Sequence, residues 1–264
     1  MIEQNQNVKK DKKLNRIVEF TDDAKQITIL DTRYYQRKEG VFYPSVTYVL
    51  SSFPKYKFFE SWIKDVGHNS DIIMRRAGDE GTQVHNAVEN FLAGEEIQWL
   101  DDNGKAKYSL EVWKMILKFA DFWKTHKPTL IASEWHLLSD ELQVAGTIDL
   151  VVELNDKLWL LDIKTSNSLH DTYDLQLACY KQMWNESFDQ KIENAGILWL
   201  KAATRGADKS GKKIQGEGWQ LKEMNNTFEN NIQAFKNLFE IFKFKNPDLK
   251  PYSELFPTSI KLDV

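Results

Sequence analysis

The sequence predicts an α/β fold: a central mixed β-sheet flanked by α-helices, preceded by an N-terminal β meander. Three observations carry that expectation. Apolar residues recur at helical spacing over 75–92 and 110–126. Between 133 and 164 they crowd into short runs rich in Val, Ile, Leu and Trp. The chain then returns to helix, strand and helix. Strands bracketed by amphipathic helices bury their apolar faces as a sheet sandwiched between helices.

Residues 1–13 read as a flexible, solvated tail, and 14–264 as a single domain, because neither a Pro/Gly/Ser linker nor an internal repeat divides them. Arg16 to Phe20, Gln26 to Leu30 and Val41 to Tyr43 read as the meander's short strands, with Thr21-Asp22-Asp23 as a turn. A helix should begin near Ser45, whose hydroxyl suits an N-cap. Ala77, Val84, Val88, Phe91 and Leu92 mark a helix from Arg75 to Leu92, with Gly94 just past its end. The next helix, Leu110 to His126, carries Trp113, Ile116, Leu117, Ala120 and Trp123 on one stripe and is closed by Pro128.

Ser133 to Ser139, Gly146 to Leu154 and Lys157 to Lys164 then read as strands, Thr172 to Phe188 as a helix and Ala195 to Leu200 as a strand. Lys201 to Gly218 is a Gly- and Lys-rich loop or hairpin. Phe228, Ile232, Phe235, Leu238, Phe239 and Phe242 stripe a C-terminal helix that suits a core or an interface equally well.

Composition narrows the function. With 42% apolar and 28% charged residues over 264 positions, disorder through most of the chain is excluded. The net charge of −4 leaves no global polycation, so any basic surface must be local. A lone cysteine, Cys179, excludes a disulfide framework and any four-cysteine zinc or iron–sulfur site. No apolar run is long enough for a transmembrane helix, and Met1 to Lys13 has the features of neither a signal nor a transit peptide. A reducing, cytoplasmic setting without membrane contact is expected.

The chemistry concentrates in Gly146-Thr147-Ile148-Asp149 and Leu161-Asp162-Ile163-Lys164. With Asn155-Asp156 as a two-residue hairpin turn, Asp149 faces Asp162 directly; with Asp156-Lys157 as the turn, it faces Lys164 and is diagonal to Asp162. In both registers the three share a face of a largely apolar strand pair. Two carboxylates roughly 4–5 Å apart in such a place repel by several kcal/mol at an effective dielectric near 20, and Lys164 offsets only one charge. A shared proton or a hard divalent cation such as Mg2+ or Mn2+ would resolve the rest. The bland alternative is a solvated Asp–Lys cluster on an edge hairpin. His85 sits mid-helix with Glu89 one turn on, Glu134 lies in a predicted strand, and Gln176 and Tyr180 share a helix face. Each alone would be ordinary packing.

Together and in order, His85, Gly146-Thr147-Ile148-Asp149, Leu161-Asp162-Ile163-Lys164-Thr165 and Gln176-Leu177-Ala178-Cys179-Tyr180 resemble the RecB-like branch of the PD-(D/E)xK nuclease superfamily. Tyr43-Pro44-Ser45-Val46-Thr47 is similar to the mitochondrial genome maintenance exonucleases and related phage nucleases. The likeness covers roughly residues 40–200. It implies a restriction-endonuclease-like fold, with Asp149, Asp162 and the Ile163 carbonyl on a catalytic Mg2+ or Mn2+, His85 as a further ligand, and Glu134 as the acidic residue of the first motif. It implies that Lys164 orients and helps deprotonate the attacking water, and that Thr165, Gln176 and Tyr180 position the site and the DNA backbone. Several RecB-like nucleases carry a four-cysteine iron–sulfur cluster; this chain cannot.

The resemblance implies a metal-dependent DNA nuclease, with an exonuclease acting on DNA ends or single strands favoured. It would work in replication, recombination or repair, in a bacterial or phage-infected cell and with DNA and a replication or recombination protein as partners. Rival readings are a structure-specific endonuclease and a catalytically silent DNA-binding or assembly subunit; oligomeric state stays open. Local positive charge is expected from Lys201, Arg205, Lys209, Lys212 and Lys213 against Asp208, and from Arg75 and Arg76 at the start of the His85 helix. Ser45 and Thr47, at a helix N-terminus, are further phosphate candidates. The nine tryptophans could stack bases, though most at helical spacing should be core.

Overall fold

The computed structural model describes residues 25–30, 32–55, 57–201, 218–224 and 227–261. The expected strand at Arg16 to Phe20, its following turn and the tail lie outside them. The meander is a three-stranded antiparallel sheet of β1 (Lys25–Ile29), β2 (Thr32–Lys38) and β3 (Val41–Pro44). β2 was not legible as a strand: its Arg, Gln and Lys mask the alternation, yet Tyr34 and Tyr35 are both buried.

α1 (Val46–Leu50) starts as expected, with the Ser45 Oγ accepting the Tyr48 N–H at 3.0 Å. α2 (Lys57–Val66) follows, and a 3-10 turn (Gly67–Asn69) leads into α3 (Ser70–Leu92). α3 therefore starts five residues before the expected Arg75. α4 (Leu110–His126) has the predicted bounds, capped by Ser109 and ended by Lys127 in the left-handed conformation ahead of Pro128. Its buried face is Val112, Met115, Ile116, Phe119 and Phe122, so the stripe is rotated from the expected one and Leu117 is 50% exposed.

The second sheet has the order β4 (Thr129–Ser139), β5 (Val144–Leu154), β6 (Lys157–Lys164), β7 (Asn194–Trp199) and β8 (Gln220–Glu223). Every neighbour pair is antiparallel except β6–β7, which α5 (Thr172–Ser187) connects. β5 and β6 are thus central, and the edge-hairpin alternative is excluded. Two cores cover the two faces. Residues of α1, α5 and α6 (Phe228–Lys245) pack with Val151, Leu158 and Leu160. Residues of α3 and α4 pack with Val152, Leu161 and Ile163. Ile232, Phe235, Leu238, Phe239 and Phe242 are all buried, so the α6 stripe is core. A short α7 (Tyr252–Leu255) follows. Among the described residues no helix is long and apolar enough to cross a membrane.

The N-terminal sheet is fastened to the larger one at a corner. Arg37 forks onto Asp140 at 3.0 and 3.1 Å, Tyr43 OH donates to the same carboxylate at 2.9 Å, and Ser45 bridges Ala145.

Candidate active site

Asn155 and Asp156 both have positive φ, 52° and 59°, as a type I′ turn requires. The register therefore runs from Leu154–Lys157 to Leu150–Leu161, the first of the two alternatives. The ladder stops there. The Ile163 N–H donates to the Asp149 carboxylate at 2.6 Å, just beyond the last regular pair of the ladder, and the Asp149 charge is felt at Asp162. A side chain has taken the donor that the next rung would use, and each aspartate acquires its own cation.

For Asp162 that cation is Lys164, whose Nζ lies 2.6 Å from Oδ2. Asp162 is buried, and neither of its oxygens has a well-directed hydrogen-bond donor. Burial raises its pKa, Lys164 lowers it and the Asp149 charge raises it again, leaving it at about 6. Lys164 is opposed by burial, but Asp162 and Asp149 outweigh that and raise its pKa. Its Nζ also donates to Gln176 Oε1 at 3.1 Å and sits 4.6 Å from the centre of the Tyr173 ring. Gln176 in turn donates to Tyr180 OH at 3.2 Å, one turn along α5. Tyr180 explains the glycine of the G-x-x-D run: a Cβ on Gly146 would lie 2.6 Å from Tyr180 Cε1.

For Asp149 the cation is His85 of α3. Its Nδ1 is 3.8 Å from Asp149 Oδ1 and 3.5 Å from Glu134 Oε1. Burial alone would depress the His85 pKa, but Asp149, Glu134 and Asp162 raise it to about 9. Glu134 reaches this point through an unusual backbone. Ser133–Leu150 and Trp135–Ile148 pair on either side of it, yet Glu134 itself has φ +46°. A non-glycine residue in that region within a strand stores strain, which accumulates at functional sites. One turn before His85, Gly81 lets α3 come close to the end of β6, where a Cβ would lie 3.1 Å from Thr165 Oγ1.

His85, Glu134 and Asp149 each offer one ligand atom, all within 4.8 Å of one another. An imidazole, two carboxylates and the donor-poor Asp162 beside them fit a hard divalent cation, since oxygen-rich sets suit Mg2+ and Mn2+.

A cleft of about 530 Å³ opens over this cluster. Ser45, Thr47, Thr165, Gln176 and Tyr180 line it. The Ser45 hydroxyl is committed to its N-cap and lies 3.1 Å from Thr47 Oγ1. A smaller hollow of about 310 Å³ shares His85, Lys164 and Thr165 and adds Ile163, Tyr173 and Lys201. Arg75 and Arg76 line neither hollow; Arg76 is exposed and pairs with Glu80 at 2.9 Å. Arg205 and the lysines after it lie outside the described residues. Among the cleft residues that sequence reasoning missed are Arg33 and Tyr35 on β2, His136 on β4, and Thr147, which stood inside a quoted motif without a role. His136 Nδ1 is 2.7 Å from Thr147 Oγ1, and burial, then Arg33, lowers the His136 pKa.

A family model described as the PD-(D/E)XK nuclease superfamily matches residues 56–250, most of the chain. No curated protein matches it.

Proposed function

The chain belongs to the PD-(D/E)XK nuclease superfamily, and from that premise we propose that it is a Mg2+- or Mn2+-dependent deoxyribonuclease, an exonuclease working from DNA ends or on single strands in replication, recombination or repair. The observation that carries this reading is the Asp162–Lys164 pair standing beside the His85, Glu134 and Asp149 cluster in an open cleft. A silent subunit gains nothing from a strained Glu134 and clustered, half-buried carboxylates. The likeness of Tyr43 to Thr47 to exonucleases points the same way.

His85, Glu134 and Asp149 would hold the metal, with Asp162 and the Ile163 carbonyl beside them. An ion held there would supply a nucleophilic hydroxide near neutral pH and charge neutralisation at the scissile phosphate. Lys164, set by Asp162 and Gln176, would orient the attacking water and help to take its proton, and would offset charge growing on the non-bridging oxygens. Gln176 and the Tyr173 face fix its ammonium group, and Tyr180 and Gly146 fix Gln176.

The test is cleavage of end-labelled linear single- and double-stranded DNA beside a closed circular single strand, in Mg2+, Mn2+ or EDTA. Wild type and Asp162→Ala are compared. Metal-dependent loss of linear substrate alone, reduced about 1,000-fold or more in the variant, is expected. Cutting of the circle would replace the exonuclease by an endonuclease. Binding without cleavage in every metal would overturn the catalytic reading.

A further inference from the structure

We propose that the N-terminal sheet forms a phosphate-gripping wall of the cleft, with the Arg33 guanidinium taking a backbone phosphate of the DNA strand next to the one at the acidic cluster. This rests on the deoxyribonuclease reading and adds where the strand runs. Arg33 lines the same cleft as Asp149 and Asp162 but belongs to β2, ahead of the matched residues 56–250.

The cleft floor has two adjoining rows. On β4 and β5, Glu134 and Asp149 make the acidic row. Two residues along each strand, roughly 7 Å away, His136 and Thr147 pair in register and their side chains meet at 2.7 Å. This second row carries an imidazole and a hydroxyl rather than carboxylates, and Arg33 stands close enough for its charge to be felt at His136. A strand with one phosphate at the acidic row therefore has its neighbour directed over uncharged polar groups and towards Arg33.

Arg33 is exposed, and among the described residues no carboxylate lies within ion-pair distance of it. Its planar fork matches two phosphate oxygens. Its backbone is held: the Arg33 carbonyl accepts the Ser45 N–H at 2.8 Å, and Arg37 and Tyr43 tie the sheet to Asp140. A rigid sheet presenting a solvent-facing arginine inside an acidic cleft gives phosphate a reason to settle there.

The test is binding of a fluorescein-labelled single-stranded oligonucleotide in EDTA over a series of salt concentrations. Steady-state cleavage in Mg2+ accompanies it. Arg33→Ala should weaken binding on the order of 3–10-fold and flatten the slope of log affinity against log salt by about 0.7, the share of one phosphate contact on a single strand. It should raise KM by a similar factor while kcat changes less than twofold, and Arg33→Lys should restore the salt slope. Wild-type binding and cleavage with Arg33→Ala unchanged in affinity, slope and KM would overturn the wall and leave the nuclease reading standing. A wild type that neither binds nor cuts DNA would overturn both.

Discussion

Lys164 is positioned by an acid, an amide and an aromatic ring, and the amide depends in turn on Tyr180 and Gly146. Adding one methyl group tests that chain. Gly146→Ala should cost about 1–3 kcal/mol in urea unfolding, because Tyr180 is buried and cannot retreat. It should also lower kcat by displacing Gln176 from Lys164. Pairing it with Tyr180→Leu should recover the stability and not the activity. His85 gives a pH signature with a definite sign. Its pKa rises from 6.5 to about 9 on folding, so the stability it contributes is fully present below pH 6.5 and is lost as pH rises through 9. The Asp162 carboxyl, raised to about 6, likewise favours the fold below its unfolded value and gives that up as pH climbs through 6. Metal-free protein in EDTA should therefore lose Tm steadily from pH 6.5 to 9. His85→Asn should remove this alkaline decline, and Mg2+ should raise Tm most at the alkaline end, where no proton competes for the imidazole.

At the scale of elements, β4 is held irregular where it meets the site. The left-handed backbone at Glu134 costs about 1–2 kcal/mol in a residue with a Cβ, and glycine escapes that cost. Glu134→Gly should raise the denaturation midpoint of the metal-free protein, both by relieving strain and by removing a carboxylate from beside Asp149. The same variant should weaken Mn2+ binding in calorimetry and lower cleavage. A loss of stability instead would mean that the backbone there is unstrained. The β5–β6 hairpin is regular up to Leu150–Leu161 and opens at Asp149, so the irregularity falls where the side chains must converge. α4 teaches the opposite lesson: its bounds follow from Ser109 and Pro128, but its buried stripe is decided by which aromatic residues the sheet below accepts.

For the molecule as a whole, the cleft depends on where the two sheets meet, through Arg37 and Tyr43 on Asp140, Tyr35 beside Thr147 and His136, and the Ser45–Ala145 bridge. Asp140 is exposed, so its fork with Arg37 contributes at most about 1 kcal/mol to folding. Asp140→Ala should thus barely move Tm. It should raise KM for single-stranded DNA in the direction of Arg33→Ala, because the wall it anchors would no longer be held against His136 and Thr147. An unchanged KM would mean that the sheet is held by Tyr35 and the Ser45–Ala145 bridge alone.

Strand alternation put Asp149, Asp162 and Lys164 on one face, while His85, Gln176 and Tyr180 joined them in the sequence only through the resemblance to the nuclease superfamily. Local turn chemistry left two hairpin registers, and the positive φ at both Asn155 and Asp156 selects the one that pairs Leu154 with Lys157. The central sheet and its helical cover followed from periods of 2 and 3.6, which need no knowledge of neighbours. What lay beyond the sequence were contacts between distant segments: Glu134 swung beside His85 by one reversed φ, Asp149 capturing the Ile163 amide, and Arg33 brought over the floor by a strand too charged to read as one. Local pattern reports what a segment buries against its own periodicity. Which segments then share a cleft is decided only when the two sheets and α3 pack, since that packing selects among faces each segment presents equally well.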